Sequence, residues 1–156
     1  MEFSFNMISF NSVSMRYSDG FEALKSVSFQ LADGEMAFLT GHSGAGKSTL
    51  LKLITIAERP ASGEILFKGL NLARVSGKNI YKVRRDIGVV YQNHRLLPEK
   101  NVFENVALPL RIIGTDYQEL AKRVRAAISK VGLSGSEKKF PNSLSSGEQQ
   151  RVGIAR

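Results

Sequence analysis

The sequence of residues 41–49, Gly41-His42-Ser43-Gly44-Ala45-Gly46-Lys47-Ser48-Thr49, matches the pattern G-x-x-x-x-G-K-[ST]. Residues 36–40 form an apolar run without alternation, and leucines at helical spacing follow the pattern. The stretch 41–49 therefore lies between a predicted buried strand and a predicted helix. Its glycines allow a tight turn and a close approach to phosphate, and the helix N-terminus that follows favours an anion. The stretch predicts a phosphate-binding loop.

Each position of this loop has a chemical reason. Lys47 can reach the β- and γ-phosphates of a nucleotide, and the Ser48 hydroxyl can take one position on Mg²⁺, which prefers oxygen ligands. His42 and Ala45 fill variable positions and contribute their backbone groups. We predict that all nine residues contribute to a nucleoside triphosphate site. The loop does not fix the reaction, because P-loops serve kinases, GTPases, motors and transporters.

Composition places limits on the class of protein. The chain has 156 residues, 42% of them hydrophobic, and a formal charge of +8. It has no cysteine, which excludes disulfides, thiolate metal sites and cysteine nucleophiles. No apolar run approaches the ~18–20 residues that span a bilayer, and the first residues lack a signal-peptide pattern. We expect a cytoplasmic protein, while the charge leaves nucleic acid, anionic membrane and phosphate ligands open.

The first half of the sequence predicts strands around the loop. Alternation over residues 8–17 predicts a strand with a bulge near Asn11 and Ser12, and a second strand follows at residues 27–31. Further along we predict a strand at 64–67, a short basic helix at 80–86 and a buried strand at 87–90.

The second half is helical in pattern. Asn101 is a predicted cap for a helix through Leu108, with Glu104 completing a capping box. The apolar spacing over 117–131 predicts an amphipathic helix after Asp116. A last helix begins near Leu144. Residues 91–141 thus have the pattern of a helical insert.

Three features, together with the phosphate loop, resemble the nucleotide-binding subunits of ABC transporters. Leu144-Ser145-Ser146-Gly147-Glu148-Gln149-Gln150-Arg151-Val152 is similar to the family's signature, although Ser146 stands where the family has glycine. Gln92 follows a predicted strand as the Q-loop glutamine does, and Tyr17 stands where the family places an adenine-stacking aromatic. Alone, Tyr17 could be an ordinary strand aromatic, Gln92 carries little information, and Ser145 could be a helix cap.

The resemblance implies an α/β fold: a P-loop NTPase with an N-terminal antiparallel β-subdomain and a helical insert. Residues 1–156 would form a partial ABC ATPase domain. Within it, 1–90 would hold the β-subdomain and P-loop core, 91–147 the Q-loop and helical subdomain, and 148–156 the start of the signature helix.

The resemblance also implies the roles of the site residues. Two subunits would pack head to tail around ATP, so that Leu144, Ser145, Ser146, Gly147 and Glu148 of one subunit face the phosphate loop of the other. Ser145 and the Gly147 N–H would contact the γ-phosphate, at the start of a helix. Tyr17 would stack on adenine, and Ser48 and Gln92 would serve Mg²⁺.

Within the family, residues 9–17, 21–24, 91–98 and 102–110 resemble the cell-division ATPases. That branch implies an integral membrane partner, contacted near His94-Arg95-Leu96-Leu97, and a peripheral position on the cytoplasmic face of the bacterial inner membrane. Lipoprotein-release and macrolide-export ATPases share much of this pattern and are the alternative. A further alternative class is an ATP-gated binding module without turnover. DNA-associated ABC ATPases are disfavoured because the sequence has no sustained heptads, so we expect no nucleic-acid partner.

The family's remaining motifs are a buried strand ending in Asp-Glu and a later histidine, and we find neither in residues 1–156. We expect no catalytic base among these residues, with Gln92 in a supporting role, and negligible hydrolysis by them alone. They would correspond to the N-terminal portion of the ATPase. The strand at 36–40 would then keep apolar faces uncovered, which predicts poor solubility.

Overall fold

The computed structural model describes residues 6–156. They divide into two compact units, the first ending at Gly88 and the second formed by Val89–Arg156. Among residues 6–156, no helix is both long and apolar enough to cross a membrane.

The first unit is built on one antiparallel sheet. Its strands are β1 (Asn6–Arg16), β2 (Glu22–Ala32), β3 (Ser62–Phe67) and β4 (Leu70–Asn71), in the order β2-β1-β3-β4. All three pairings are antiparallel. The predicted strands at 8–17, 27–31 and 64–67 are confirmed, and so is the N-terminal antiparallel β-subdomain.

The predicted bulge in β1 is also confirmed. The register shifts between Phe10 and Val13 against β2, and between Asn11 and Ser14 against β3. Ser12 lies inside the shift with a φ of 48°. An extra residue on one strand locally interrupts the ladder and increases the twist.

The phosphate loop leads into α1 (Lys47–Ile54), whose buried residues share the core of the sheet. The least exposed members of this core are Phe10, Val13, Leu53 and Ile65. Phe10 stacks on Phe29 with the ring centroids 4.6 Å apart. Three further elements complete the unit: 3-10 turns at Leu72–Arg74 and Gly77–Asn79, and the short helix α2 (Ile80–Arg85).

Two predicted strands, 36–40 and 87–90, were wrong: the structure assigns no strand at either segment. Met36 and Phe38 are 81% and 87% exposed. A buried parallel strand forms only when neighbouring strands supply its hydrogen bonds. No strand among residues 6–156 pairs with either segment. The apolar composition of a segment therefore does not by itself determine whether that segment is buried or exposed.

The second unit is a set of three helices, α3 (Val102–Ile112), α4 (Tyr117–Lys130) and α5 (Ser146–Ala155), with a 3-10 turn at Pro141–Ser143. Asn101 and Glu104 form the predicted capping box, and Asp116 caps α4 through the Gln118 N–H. The predicted helices are confirmed, with α3 continuing through Pro109. The three helices bury one apolar core, made of Val102, Val106, Ala107, Leu120, Val124, Ile128, Leu133, Leu144 and Val152.

Candidate functional site

The phosphate loop occupies the turn between the exposed segment 36–40 and α1. Gly41, Gly44 and Gly46 all have positive φ, of 145°, 83° and 84°. The Ala45 N–H donates to the His42 carbonyl at 3.2 Å, which closes the turn. The His42 ring Nδ1 lies 2.7 Å from the Ser43 carbonyl. The loop is therefore shaped by its own backbone.

Gly46 is the position where only glycine fits. It is buried, and it precedes α1 in a left-handed conformation. A Cβ added there would lie 2.4 Å from the Ala23 carbonyl oxygen and 2.7 Å from Leu24 Cδ2. The loop is thus packed directly against β2, which fixes the start of α1.

The Lys47 ammonium closes over the loop. Its Nζ donates to the Gly41 and His42 carbonyl oxygens, both at 2.6 Å. Among residues 6–156, no carboxylate forms an ion pair with Lys47. The charge is therefore held by neutral acceptors only, and an anion entering the loop meets an uncompensated cation.

The start of α1 adds to this positive site. The first turn contains no acidic residue and no side chain caps it. The first N–H groups of a helix have no intrahelical acceptor, and the helix dipole places partial positive charge there. The Ser48 side chain is exposed beside Lys47, so its hydroxyl is available to a metal ion.

Tyr17 lies on the flank of the same helix. Its hydroxyl is 3.0 Å from Thr49 Oγ1, and the Lys52 ammonium lies 5.5 Å from the ring centroid. Thr49 is buried and Tyr17 is half-buried. Lys52 was not predicted; it lies three residues after Thr49 on the same face of α1, but no sequence pattern places Tyr17 beside that face. Tyr17 and the phosphate loop are thus brought together in one unit.

The signature residues form the start of α5 in the second unit. Leu144 is buried, whereas Ser145, Ser146 and Gly147 are exposed. Ser145 is the N-cap: its Oγ accepts from the Glu148 N–H at 3.3 Å, and its N–H donates to Glu148 Oε2 at 2.8 Å. The N–H groups of Ser146 and Gly147 have no acceptor among residues 6–156.

Glu148 completes this capping box. The hydrogen bond from the Ser145 backbone, and then the one from its hydroxyl, lower the pKa of the Glu148 carboxyl. The carboxylate at this helix start is thereby held in its charged form. The Ser146 side chain is exposed.

Gln92 is an exposed turn residue of the second unit. The strand that was expected to precede it is absent, as described above. The segment after it contains two consecutive residues with positive φ, His94 at 54° and Arg95 at 48°. The Arg95 guanidinium lies 4.0 Å from the centroid of the Tyr91 ring. Gln92 belongs to the second unit and Ser48 to the first, so their joint role at a metal stays a prediction.

Two polar anchors of the second unit were missed in the sequence. Asn105 is fully buried and bonds the Leu97 N–H and three carbonyls, those of Leu97, Lys100 and Asn101. Arg156 donates to the carbonyls of His94 and Arg95. No sequence pattern signals the Arg156 contact, because it joins residues about 60 positions apart.

The family model for ABC transporters matches residues 24–156. The chain belongs to the ABC transporter family. It is 53% identical over 150 residues to the cell division ATP-binding protein FtsE of Escherichia coli K12, covering 96% of this chain and 68% of that protein. It is 45% identical over 140 residues to the methionine import ATP-binding protein MetN of Helicobacter pylori 26695, covering 90% of this chain and 43% of that protein.

Solved structures of ABC cassettes share this fold. The dimeric post-hydrolysis structure of the ATP-binding cassette MJ0796 with ADP and Pi has a TM-score of 0.88 at 34% identity. It covers 96% of this chain, which spans 68% of the MJ0796 chain. The fold is that of an ABC-type nucleotide-binding domain, and the family is one of ATPases. Both expectations drawn from the resemblance, family and fold class, are confirmed.

Proposed function

We propose that this chain is the ATP-binding subunit of an ABC complex of the FtsE type, and that residues 41–49 hold the nucleotide phosphates. The observation that carries the proposal is the Lys47 ammonium, which donates to two backbone carbonyls of a loop with left-handed glycines and has no carboxylate partner among residues 6–156. Lys47 exchanges its two carbonyl acceptors for phosphate oxygens, which are stronger acceptors for a cation. The backbone N–H groups of the loop and of α1 orient the same phosphates.

Mg²⁺ fits this site through Ser48. The described residues contain no group of three acidic or histidine side chains that could hold a metal by themselves. Mg²⁺ bound to nucleotides is usually held by one or two protein oxygens, phosphates and water. The exposed Ser48 hydroxyl would supply one such oxygen, and the role of Gln92 at the ion stays a prediction from the sequence. When bound, the ion would neutralise charge that develops on the phosphates.

Tyr17 is proposed to stack on the adenine ring. The Thr49 hydroxyl fixes one end of the Tyr17 ring, and Lys52 adds a cation near its face. A ring held in place loses little entropy on stacking, which favours the contact. This assigns Tyr17 to base binding and residues 41–49 to phosphate binding within one unit.

The signature is proposed to act across a head-to-tail dimer. Ser145 and the free N–H groups of Ser146 and Gly147 are exposed and start a helix, which suits contact with the γ-phosphate held by a second copy. Glu148, which faces the same nucleotide as part of the signature, also orients Ser145 through the capping box. In this arrangement 1–90 forms the nucleotide-holding part, 91–147 the Q-loop and helical subdomain, and 148–156 the signature helix.

The finer assignment rests on the 53% identity to FtsE. By that likeness, the subunit works with an integral membrane protein like FtsX, on the cytoplasmic face of the bacterial inner membrane. There it would couple ATP binding and hydrolysis to septal cell-wall remodelling during cell division. No nucleic-acid partner enters this proposal. The methionine importers are similar over less of their own length.

ATP binding is tested by titrating a fluorescent ATP analogue into the wild-type chain, Lys47→Ala and Lys25→Ala. Lys25 is an exposed lysine on β2 and serves as the matched control. A hydrogen bond to a charged group contributes about 1.5–3 kcal/mol. We therefore expect Lys47→Ala to weaken binding about 10–100-fold and Lys25→Ala to leave it unchanged. Equal affinity of all three proteins would refute the site.

The head-to-tail dimer is tested with single cysteines, which is straightforward because the chain has none of its own. Ser43→Cys and Ser145→Cys proteins are mixed and oxidised with and without ATP. The proposal predicts a mixed disulfide dimer that depends on ATP. Disulfide dimers linked only through position 145 of both copies, or a yield of mixed dimer that does not depend on ATP, would contradict the proposed arrangement.

The partner is tested by co-expressing the protein with FtsX or with a methionine-import membrane subunit. We expect FtsX to co-purify and the importer subunit to be absent. Retention of the importer subunit instead would replace the cell-division assignment with an import function, while leaving the nucleotide site untouched.

A further inference from the structure

The Arg156 side chain joins the signature helix α5 to the segment after Gln92. Arg156 directly follows α5, and its guanidinium donates to the Arg95 carbonyl at 2.7 Å and to the His94 carbonyl at 2.8 Å. Burial lowers the pKa of Arg156, as is usual for a cation partly withdrawn from water. A planar guanidinium can serve two adjacent carbonyls at once, which an ammonium does poorly.

The two carbonyls that Arg156 holds belong to a strained turn. His94 and Arg95 are consecutive non-glycine residues in the left-handed region. The His94 Nδ1 atom is buried without a hydrogen-bond partner. Such conformations persist only when the surroundings enforce them. Arg156 is the side chain that binds this turn, whereas Asn105 holds the chain only from Leu97 onward.

The part of α5 between Ser145 and Arg156 is packed into the second unit. Its ten residues, from Ser146 to Ala155, span about 15 Å. Val152 is fully buried in the core of the second unit, and Leu96 packs against that same core. Ser145 begins the helix and Arg156 follows it. A displacement of α5 at Ser145 would therefore also move Arg156.

We propose that Arg156 is a positioning residue that ties α5 to His94 and Arg95, so that nucleotide contact at Ser145 changes the turn next to Gln92. We call the two hydrogen bonds from Arg156 to the His94 and Arg95 carbonyls the clamp. The effect of nucleotide on the turn rests on the proposed function, whereas the clamp does not. Loss of the guanidinium would release the strained turn while the apolar core keeps α5 folded. The turn would then stop following the state of the signature.

The clamp is tested by hydrogen exchange in the nucleotide-free protein. The His94 N–H is bonded to the Tyr91 carbonyl and the Arg95 N–H to the Asn93 carbonyl, so both report on the turn. We expect Arg156→Gln to raise their exchange rates about tenfold or more, by loss of hydrogen bonds to a charged group. Arg125→Gln, a change at an exposed cation of α4, is the control and should change neither rate.

Global unfolding is distinguished by the amides of α4. Their protection should be unchanged in Arg156→Gln. If it falls, Arg156→Lys is measured instead, and the exchange rates at His94 and Arg95 should then exceed those of wild type. Unaltered exchange at His94 and Arg95 in the folded variant overturns the proposal.

The coupling is tested by repeating the exchange with a non-hydrolysable ATP analogue and Mg²⁺, with binding measured separately. Wild type should change its exchange at His94 and Arg95 on binding, and Arg156→Gln should bind equally well without that change. Binding by wild type without any change at the turn, or an undiminished change in the variant, overturns the coupling. Absence of binding in wild type overturns the proposed function instead, and the nucleotide-free rates still decide the clamp.

Discussion

Replacing Gly46 by alanine should destabilise the first unit far more than the same change at Gly44. The two glycines have nearly equal φ, 84° and 83°. At Gly46 the new Cβ would lie 2.4 Å from the Ala23 carbonyl oxygen, whereas at Gly44 nothing lies within 4 Å. The two substitutions therefore share the backbone cost and differ only in the collision with β2.

The expected magnitudes follow from these two terms. A left-handed conformation costs a non-glycine residue roughly 1–2 kcal/mol. Forcing an extra carbon into a packed site costs typically about 1–3 kcal/mol more. We expect losses of about 1–2 kcal/mol for Gly44→Ala and about 2–5 kcal/mol for Gly46→Ala. The larger loss is a substantial part of the ~5–15 kcal/mol that stabilises a typical domain.

The assay is urea unfolding of both variants, with hydrogen exchange of the β1 and β2 amides to assign the loss to the first unit. The difference between the variants is the quantity of interest, since the backbone term cancels. Losses that agree within about 0.5 kcal/mol would refute the packing of the loop against β2.

Three further predictions concern stability and titration. Asn105→Ala should cost the second unit about 2–4 kcal/mol in urea unfolding, because it removes the four hydrogen bonds of a fully buried side chain, each worth about 0.5–1.5 kcal/mol. Asn142→Ala, at an exposed asparagine, should change the free energy of unfolding little. Ser145→Ala should raise the pKa of Glu148 toward its ordinary value in an NMR titration. Since that pKa is lowered in the folded state, the stabilisation it gives wild type is present above the unfolded pKa and is lost as pH falls through the folded pKa. This pH dependence should be smaller in the variant but should not disappear, because the backbone N–H of residue 145 still donates to the Glu148 carboxylate. Phe38→Ser should change the free energy of unfolding by less than about 0.5 kcal/mol because its ring is 87% exposed; Phe10→Ser, at a core ring, should cost at least about 3 kcal/mol by the same assay.

Features set by local chemistry could be predicted from the sequence. The capping boxes of Asn101 with Glu104 and of Ser145 with Glu148 each need residues only three positions apart, and helix starts follow from them. The bulge near Ser12 was visible as a slip in strict alternation. The family was predicted from the order of four features: Tyr17, the phosphate loop, Gln92 and the signature.

Features set by distant partners could not be predicted. The apolar runs at 36–40 and 87–90 have the composition of buried strands, yet strand formation depends on neighbours that the run itself does not specify. The contacts of Arg156 with His94 and of Lys52 with Tyr17 join residues far apart in sequence. Their side chains carry no motif, so only the folded chain reveals them.

Binding of the ATP phosphates by residues 41–49 can be measured residue by residue in an ¹⁵N NMR titration of the protein with ATP and Mg²⁺. We predict that the largest shifts fall on the amides of Gly44, Gly46, Lys47 and Ser48, and that Lys47→Ala abolishes them at the same ATP concentration. Shifts confined to residues outside 41–49 in the first unit, or shifts that persist unchanged in Lys47→Ala, would contradict it.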